Sequence, residues 1–116
     1  MFKNVEYVGF EDKPELKAKA EQLTPVLADE VGERQGEVEV RWSPTNGSTG
    51  VLDLTLSRAL VNGVTGTHTG TFVAADFTRD RQLARRCRRV WSELLGLLLD
   101  KQHQRVQEAF LEPAEA

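Results

Sequence analysis

The sequence predicts an α+β fold with the element order β-α-β-β-β-α, in which a four-stranded sheet carries two helices packed on one face. Four segments alternate polar and apolar residues with a period of two, which is typical of half-buried strands. Two longer segments repeat apolar residues every three or four positions, which is typical of amphipathic helices. The length of 116 residues is near the commonest size of one domain. We therefore expect a single domain over residues 1–112, with residues 113–116 as a flexible tail.

The first strand is predicted within residues 2–10, where apolar residues alternate with polar ones. A helix should follow, because Asp12 and Glu15 have the spacing of a capping box and Pro14 suits a first helical turn. The apolar stripe of this helix is formed by Leu16, Ala20, Leu23, Leu27 and Val31.

Proline and glycine are expected to shape this first helix and to end it. Pro25 lies inside the apolar stripe and should kink the helix, because its ring clashes with the carbonyl group four residues earlier. Gly32 or Gly36 should end the helix, since glycine readily adopts the left-handed conformation that follows a last helical turn.

The second and third strands are predicted at residues 37–42 and 51–57. Their inward positions are Val38, Val40, Trp42, Leu52, Leu54 and Leu56. Pro44 and the sequence Asn-Gly-Ser at residues 46–48 form a predicted turn between these two strands. Asn62 and Gly63 then form a hairpin turn into the fourth strand, because both residues tolerate positive φ angles.

The fourth strand, predicted over residues 64–74, places all its threonines on one face: Thr65, Thr67, Thr69 and Thr71. We expect these threonines to face solvent. The other face then carries Gly66 and Gly70, which would let a helix approach closely, and Phe72, which would fill the core.

The second helix should follow a turn at residues 76–80, with Thr78 or Asp80 as its N-cap. Its core stripe is formed by Leu83, Cys87, Val90, Trp91, Leu94 and Leu98. A second apolar stripe is formed by Leu95, Leu99, Val106 and Phe110. At 100° per residue this second stripe lies roughly 100° around the helix from the first, so the two cannot face the same sheet.

The second stripe has two interpretations. It is either a helix-pairing surface, which makes the chain a homo-oligomer with a structural or adaptor role, or it is covered by a C-terminal turn that folds back over the sheet edge of the same chain. Self-association is the expectation, because a large exposed apolar stripe seldom stays uncovered in a stable protein.

The strongest polar feature is a group of arginines in the first half of the second helix, namely Arg81, Arg85, Arg88 and Arg89, with Arg86 at its flank. No Asp or Glu lies between Arg81 and Arg89, so the sequence offers no pairing four residues apart within this stretch. Guanidinium groups suit phosphate oxygens, and a helix N-terminus favours an anion. The group is therefore a solvated face, a site for RNA phosphates, or a site for an acidic patch on another copy of the chain.

No catalytic site is evident, and we expect a binding protein and not an enzyme. His68 and His103 lie on different elements and lack Cys, Asp or Glu neighbours at metal-ligand spacing. Cys87 falls on the core stripe, where a thiol is usually inert. The glycines of residues 63–70 alternate as in a strand, whereas a phosphate loop would lead directly into a helix. We expect no metal, no cofactor and no small-molecule substrate.

Charge and cysteine content indicate the compartment. The net charge is −3 and the pI is near 5.4, which argues against general nucleic-acid binding, although the basic residues 79–89 contrast with the acidic residues 11–39. A single cysteine fits a reducing compartment. The N-terminus lacks a basic start with an apolar run, and the longest apolar cluster is too short to span a bilayer. We expect a cytoplasmic protein that does not enter a membrane.

This element order resembles that of the ribosome hibernation-promoting and ribosome-associated inhibitor family. The likeness covers about Val5 to His103. It is carried by the order of elements, the run Val-Leu-Asp-Leu-Thr-Leu at residues 51–56, the hairpin at residues 62–63, and Thr-Phe-Val-Ala-Ala-Asp at residues 71–76 leading into a basic helix.

The resemblance implies a domain related in shape to double-stranded-RNA-binding domains. It also implies a position in the decoding channel of the small ribosomal subunit, where the domain blocks messenger and transfer RNA. The residues expected to contact ribosomal RNA are Arg81, Arg85, Arg88 and Arg89, with Lys13 and Lys17 assisting from the first helix.

Overall fold

The structure, a computed structural model, describes residues 1–45 and 50–111, without the side chains of residues 109–111. The strands are β1 (Asn4–Tyr7), β2 (Val38–Pro44), β3 (Gly50–Ala59) and β4 (Thr65–Val73). The helices are α1 (Pro14–Val31) and α2 (Asp80–Leu111), and two 3-10 turns lie at Gly32–Glu37 and Ala74–Thr78. The predicted α+β fold and the predicted order of elements are confirmed.

The four strands form one mixed sheet in the spatial order β1-β2-β3-β4. Strand β1 pairs with β2 in parallel, with Val5 opposite Val40, and the other neighbours pair antiparallel. Parallel strands need a crossover connection, which α1 supplies. Both β1 and β4 are therefore edge strands, and β4 is the edge beside α2.

One face of the sheet packs against the two helices and forms the core. The inward positions predicted for β2 and β3 are all buried, and so are the stripe residues of both helices except Leu16 and Leu83, which are half-buried. Trp42 is fully buried, and its Nε1 atom donates a hydrogen bond to Thr24 Oγ1 of α1 at 3.1 Å. The burial of Trp42 and Trp91 confirms that both tryptophans belong to the core.

Strand β4 presents its threonines outward and its glycines toward α2, as the sequence predicts. A Cβ atom built on Gly70 would lie 2.3 Å from Val90 Cγ2, and one built on Gly66 would lie 2.8 Å from Leu98 Cδ2. Because real Cβ contacts are longer than this, only glycine at these positions lets α2 lie so close to the sheet. Phe72 is fully buried, as expected.

The predicted capping box at Asp12 is wrong. The N-cap of α1 is Lys13, which makes no side-chain capping hydrogen bond, and Pro14 is the first helical residue. The backbone N–H of Lys13 donates to the carbonyl of buried Phe10 at 2.9 Å, so Asp12 lies within a tight turn that places the helix start one residue later.

Helix α1 is one continuous helix from Pro14 to Val31, and Pro25 lies inside it. The kink predicted at Pro25 therefore does not end the helix. The hydroxyl of Thr24 donates to the carbonyl of Ala20 in the same stretch. The helix ends at Gly32, which has a φ angle of 70° and whose N–H donates to the carbonyl of Ala28. Of the two glycines considered, Gly32 is therefore the one that ends α1.

Helix α2 begins at Asp80, and the carbonyl of Arg79 accepts the first helical hydrogen bonds. Neither Thr78 nor Asp80 is therefore the N-cap. The hydroxyl of Thr78 donates instead to Ala75 within the 3-10 turn, and buried Asp76 accepts the backbone N–H of Val73 at 2.8 Å.

The hairpin at Asn62 and Gly63 is confirmed, since Gly63 has a φ angle of 88° and the N–H of Leu60 donates to the carbonyl of Val64. The predicted turn at residues 46–48 and the predicted tail at residues 113–116 lie outside the described residues.

The two helices run in the same direction. Lys19 lies over the ring of Phe77, just before α2, and Glu30 near the end of α1 contacts Arg88. Helix α1 ends one residue after Glu30, whereas α2 continues to Leu111. At 1.5 Å per residue, α2 extends about 35 Å beyond the level of Glu30.

Candidate functional site

The outward face of α2 divides into two regions of different chemistry. Its first half carries the arginine surface, which we define as Arg81, Arg85, Arg88 and Arg89. Its second half carries the apolar strip, which we define as Leu95, Leu99 and Val106. All seven side chains belong to exposed residues, so the helix presents a basic region followed by an apolar one.

Arg81 and Arg85 lie one helical turn apart in the first two turns of α2. Both residues are exposed, and neither forms an ion pair with any residue that the structure describes. Their positive charges are therefore available to an external anion. These two residues match the expectation of an uncompensated basic site.

Arg88 does not match that expectation. Its Nε atom donates to Glu30 Oε2 of α1 at 2.8 Å, and the hydrogen bond and charge of Glu30 raise the pKa of Arg88. The acidic residue comes from the other helix, 58 positions away in sequence. One alternative from the sequence was an acidic patch on another copy of the chain, but the acidic partner of Arg88 is Glu30 of its own chain.

Arg89 is also paired within the chain. Its Nε atom donates to Glu93 Oε1 at 3.0 Å, one turn further along α2. The other carboxylate oxygen of Glu93 touches His68 Nε2 on β4. The hydrogen bond from Arg89 is the main cause that lowers the pKa of Glu93; desolvation opposes it, and the contact with His68 lowers the pKa further. The expectation that the arginines lack acidic partners is therefore wrong for Arg88 and Arg89.

Arg86 forms hydrogen bonds that connect α2 to β4. Its Nε and Nη2 atoms both donate to the backbone carbonyl of Thr71, at 3.1 and 2.9 Å. Lys101 donates to the carbonyl of Thr65 at 2.8 Å, and Arg105 donates to the carbonyl of Asn62. Three cations of α2 thus satisfy carbonyl groups of β4 and of the hairpin turn that precedes it. They hold the helix against the sheet.

A shallow cavity of about 190 Å³ lies beside the arginine surface. It is lined by Asp76, Gln82, Arg85, Arg86 and Arg89. Three of the lining residues, Asp76, Gln82 and Arg86, were not among the predicted site residues. The signal for Gln82 and Arg86 is the spacing of Gln82, Arg85, Arg86 and Arg89 at three, four and seven positions, which places them on one side of a helix.

Lys13 and Lys17 are not brought to the arginine surface by any contact in the structure. Lys13 is the N-cap residue of α1 and is exposed. Lys17 lines a separate surface cavity with Tyr7, Phe10 and Pro14 at the start of α1.

The apolar strip is exposed, as the sequence predicts. The exposed fractions are 37% for Leu95, 67% for Leu99 and 54% for Val106. The side chain of Phe110, the fourth predicted member, lies outside the described residues. Helix α2 continues without a break past all four positions, so no turn of the described chain folds back over the strip.

The open face of the sheet carries hydroxyl groups that mostly bond to one another. Thr55 pairs with Thr69 at 2.9 Å and Ser57 with Thr67 at 3.1 Å. Asp53 accepts hydrogen bonds from Thr45 and Thr71. These hydroxyls are engaged within the sheet, and the acidic residues Glu6, Glu39 and Asp53 lie among them. Such a face disfavours a phosphate ligand.

Cys87, the one cysteine, is buried in the core. Burial raises the pKa of the Cys87 thiol to about 12, with a further contribution from the charge of Glu30. A thiol with so high a pKa is not a nucleophile at neutral pH. Among residues 1–45 and 50–111 there is no group of three or more His, Cys, Asp or Glu that could hold a metal ion.

Neither α1 nor α2 is long and apolar enough within the described residues to cross a membrane. Comparison of the chain with protein-family models, with curated proteins and with solved structures finds no match.

Proposed function

We propose that this protein is a non-catalytic binding module that holds the phosphate backbone of structured RNA against the arginine surface of α2. The observation that carries the proposal is the pair Arg81 and Arg85, exposed, adjacent on the helix, and without an acidic partner among the described residues. Leaving two like charges side by side in the free protein costs a few tenths of a kcal/mol, which a bound anion would recover.

The part of the arginine surface that is available to a ligand is the pair Arg81 and Arg85, which lie about 6 Å apart along the helix axis. The guanidinium groups of Arg81 and Arg85 offer parallel N–H donors that match phosphate oxygens, and Arg85 also lines the adjacent cavity. The first turn of α2 adds the partial positive charge of a helix N-terminus.

The net charge of −3 is a sum over the whole chain and does not describe the start of α2. Glu30 and Glu93 are paired with Arg88 and Arg89, whereas Arg81 and Arg85 have no ion-pair partner among the described residues. The resemblance to the ribosome hibernation-promoting family, in element order and in the basic helix, makes ribosomal RNA the first RNA to test.

The test is binding of the whole chain to a labelled RNA hairpin and to purified small ribosomal subunits. The variant Arg81→Glu/Arg85→Glu is expected to weaken binding to the hairpin by at least about tenfold, since charge-assisted hydrogen bonds contribute about 1.5–3 kcal/mol each. The folded state should tolerate both changes, because both residues are exposed and an acidic residue at position 81, in the first helical turn, interacts favourably with the helix dipole. The logarithm of affinity should fall linearly with the logarithm of salt concentration.

The matched control is Arg34→Glu/Arg41→Glu, which changes the net charge by the same amount at exposed arginines outside α2. This control is expected to keep most of the affinity. Equal losses in the two double variants would mean that only overall charge matters and would refute a site on α2. Wild-type protein that binds neither RNA probe at low salt would also refute the proposal.

A further inference from the structure

We infer that the cavity beside the arginine surface makes this protein select RNA over DNA, with the Asp76 carboxylate accepting a hydrogen bond from a ribose 2′-hydroxyl next to the phosphate that Arg85 holds. This inference rests on the proposed function, since it concerns the part of the nucleic acid that lies against the same stretch of α2. It adds Asp76 as the residue that determines specificity.

The first observation is the state of the Asp76 carboxylate. Asp76 is only 7% exposed and lies in the 3-10 turn that leads to α2. Its Oδ2 atom accepts the backbone N–H of Val73 at 2.8 Å, whereas its Oδ1 atom accepts no hydrogen bond from a described residue. Within the described part of the chain, Asp76 forms no ion pair. A carboxylate can accept several hydrogen bonds, so the unused capacity of Asp76 suits a donor that a ligand supplies.

The second observation is that Asp76 and Arg85 share one cavity. The cavity of about 190 Å³ is lined by both residues and by Gln82, Arg86 and Arg89. The last two arginines are already held by groups of the chain, whereas Arg85 has no ion-pair partner among the described residues. A phosphate bound to Arg85 therefore lies next to a cavity that contains a carboxylate with unused acceptor capacity.

The third argument is the chemistry of a ligand that suits both groups. A site for an anion alone would be weakened by a carboxylate in its lining, because like charges repel. An arginine together with a carboxylate suits a ligand with a negative charge and a hydrogen-bond donor close to each other. RNA has this arrangement at every backbone step, since its 2′-hydroxyl lies on the carbon next to the one that carries the 3′-phosphate. The 2′-hydroxyl is the group by which a protein can distinguish RNA from DNA.

The same carboxylate disfavours DNA. A DNA phosphate at Arg85 offers no hydroxyl, so Asp76 would face a backbone of like charge without gaining a hydrogen bond. A protein gains selectivity from such an unfavourable contact with the wrong ligand as well as from a favourable contact with the right one. The cavity is large enough for the hydroxyl, because one water molecule occupies about 30 Å³ in the liquid.

The test compares three hairpins of one sequence, made of RNA, of DNA and of 2′-fluoro RNA, at one low salt concentration. The 2′-fluoro hairpin keeps the A-form shape but has no hydroxyl to donate, so it separates the effect of the hydroxyl from that of helix shape. The wild type is expected to bind the RNA hairpin at least about tenfold more tightly than either of the others, because hydrogen bonds to charged groups are the stronger ones.

The variant that tests the carboxylate is Asp76→Asn, whose amide oxygen can still accept the backbone N–H of Val73. Removing a negative charge raises the affinity for every nucleic acid, so the readout is the ratio of the affinities for the RNA and the 2′-fluoro hairpin. This ratio is expected to fall at least about threefold, because a hydrogen bond to a carboxylate is roughly twice as strong as a neutral one.

The matched control is Asp53→Asn, which removes the same charge on the open face of the sheet and should leave the ratio unchanged. A second measurement uses the wild type alone. The amide N–H of Val73 donates to the Asp76 carboxylate, so its nuclear magnetic resonance signal should shift when the RNA hairpin is added and shift less with the 2′-fluoro hairpin.

The outcomes separate this inference from the proposed function. Equal affinity of the wild type for the RNA and 2′-fluoro hairpins overturns the inference, even where DNA binds weakly, because helix shape would then be the feature recognised. An unchanged ratio in folded Asp76→Asn, or equal shifts of the Val73 signal, also overturns it. Each of these results leaves phosphate binding by Arg81 and Arg85 standing, whereas a wild type that binds no RNA refutes the proposed function itself.

Discussion

The two halves of α2 have the same helical geometry but are used differently. In the first half, from Asp80 to Trp91, the sheet and α1 both lie against the helix, and three of its five arginines have partners within the chain. In the second half the sheet alone lies against the helix, and apolar side chains are left on the outside. This difference shows that the amino-acid composition does not tell which arginines lack a partner within the chain. An arginine is available to an external anion only where no carboxylate or carbonyl group of the same chain lies beside it.

The largest expected effect concerns the packing that holds the first half of α2 on the sheet. Gly70→Val is expected to lower the free energy of unfolding by about 3 kcal/mol or more, because even a Cβ atom there would lie 2.3 Å from Val90 Cγ2. Urea unfolding at a concentration where the protein is monomeric measures this.

The control for this change is Gly96→Ala in the second half, where a Cβ atom meets nothing within 4 Å. It is expected to raise the free energy of unfolding of the monomer by up to about 1 kcal/mol, through helix propensity alone. Similar unfolding curves for Gly70→Val and the wild type would mean that the helix does not depend on close approach to β4.

A smaller effect is expected where a cation of α2 meets the edge of β4. Arg86→Ala removes two N–H donors from the carbonyl of Thr71 and should lower the free energy of unfolding by about 1–2 kcal/mol. Arg81→Ala, at an exposed arginine without a partner among the described residues, should change it by less than about 0.5 kcal/mol. An equal loss of unfolding free energy in the two variants would contradict the distinction between arginines with a partner in the chain and arginines without one.

The smallest effect is expected at the boundary between the halves, where Glu93 joins Arg89 to His68. The pKa of Glu93 is lowered from its ordinary value of 4.5, chiefly by the hydrogen bond from Arg89. Because the folded-state pKa lies below the unfolded-state value, this carboxylate contributes stability above the unfolded-state pKa. The contribution is lost as the pH falls through the folded-state pKa.

Melting temperatures of Glu93→Gln and the wild type, measured against pH, check this linkage. The difference in melting temperature should shrink as the pH falls through the folded-state pKa of Glu93, and it should correspond to a free energy of at most about 1 kcal/mol because the pair is exposed. Glu15→Gln, at an exposed glutamate without an ion-pair partner among the described residues, is the control. A difference that grows toward acidic pH would contradict the assigned direction.

Local patterns predicted most of the fold. The alternation in β2 and β3, the glycines and threonines of β4, and the apolar stripes of both helices each fall on the face that the sequence indicates. These features depend on residues two to four positions apart, and the geometry of strands and helices fixes where such residues point. The start of α1 was predicted one residue too early, because Asp12 suits a tight turn as well as a helix N-cap. Buried Phe10 accepts the hydrogen bond of this turn from Lys13, so Asp12 lies in the turn.

The sequence located the candidate site on α2. It did not show which of its arginines form ion pairs within the chain and which do not. The sequence by itself determined that basic and apolar residues occupy successive halves of one outward helix face, since this follows from the helical period alone. Only the tertiary structure decided that Glu30 pairs with Arg88, that the carbonyl of Thr71 accepts from Arg86, and that the end of α1 lies beside Arg88. These pairings join elements far apart in sequence, and their geometry exists only once both helices are packed on the sheet.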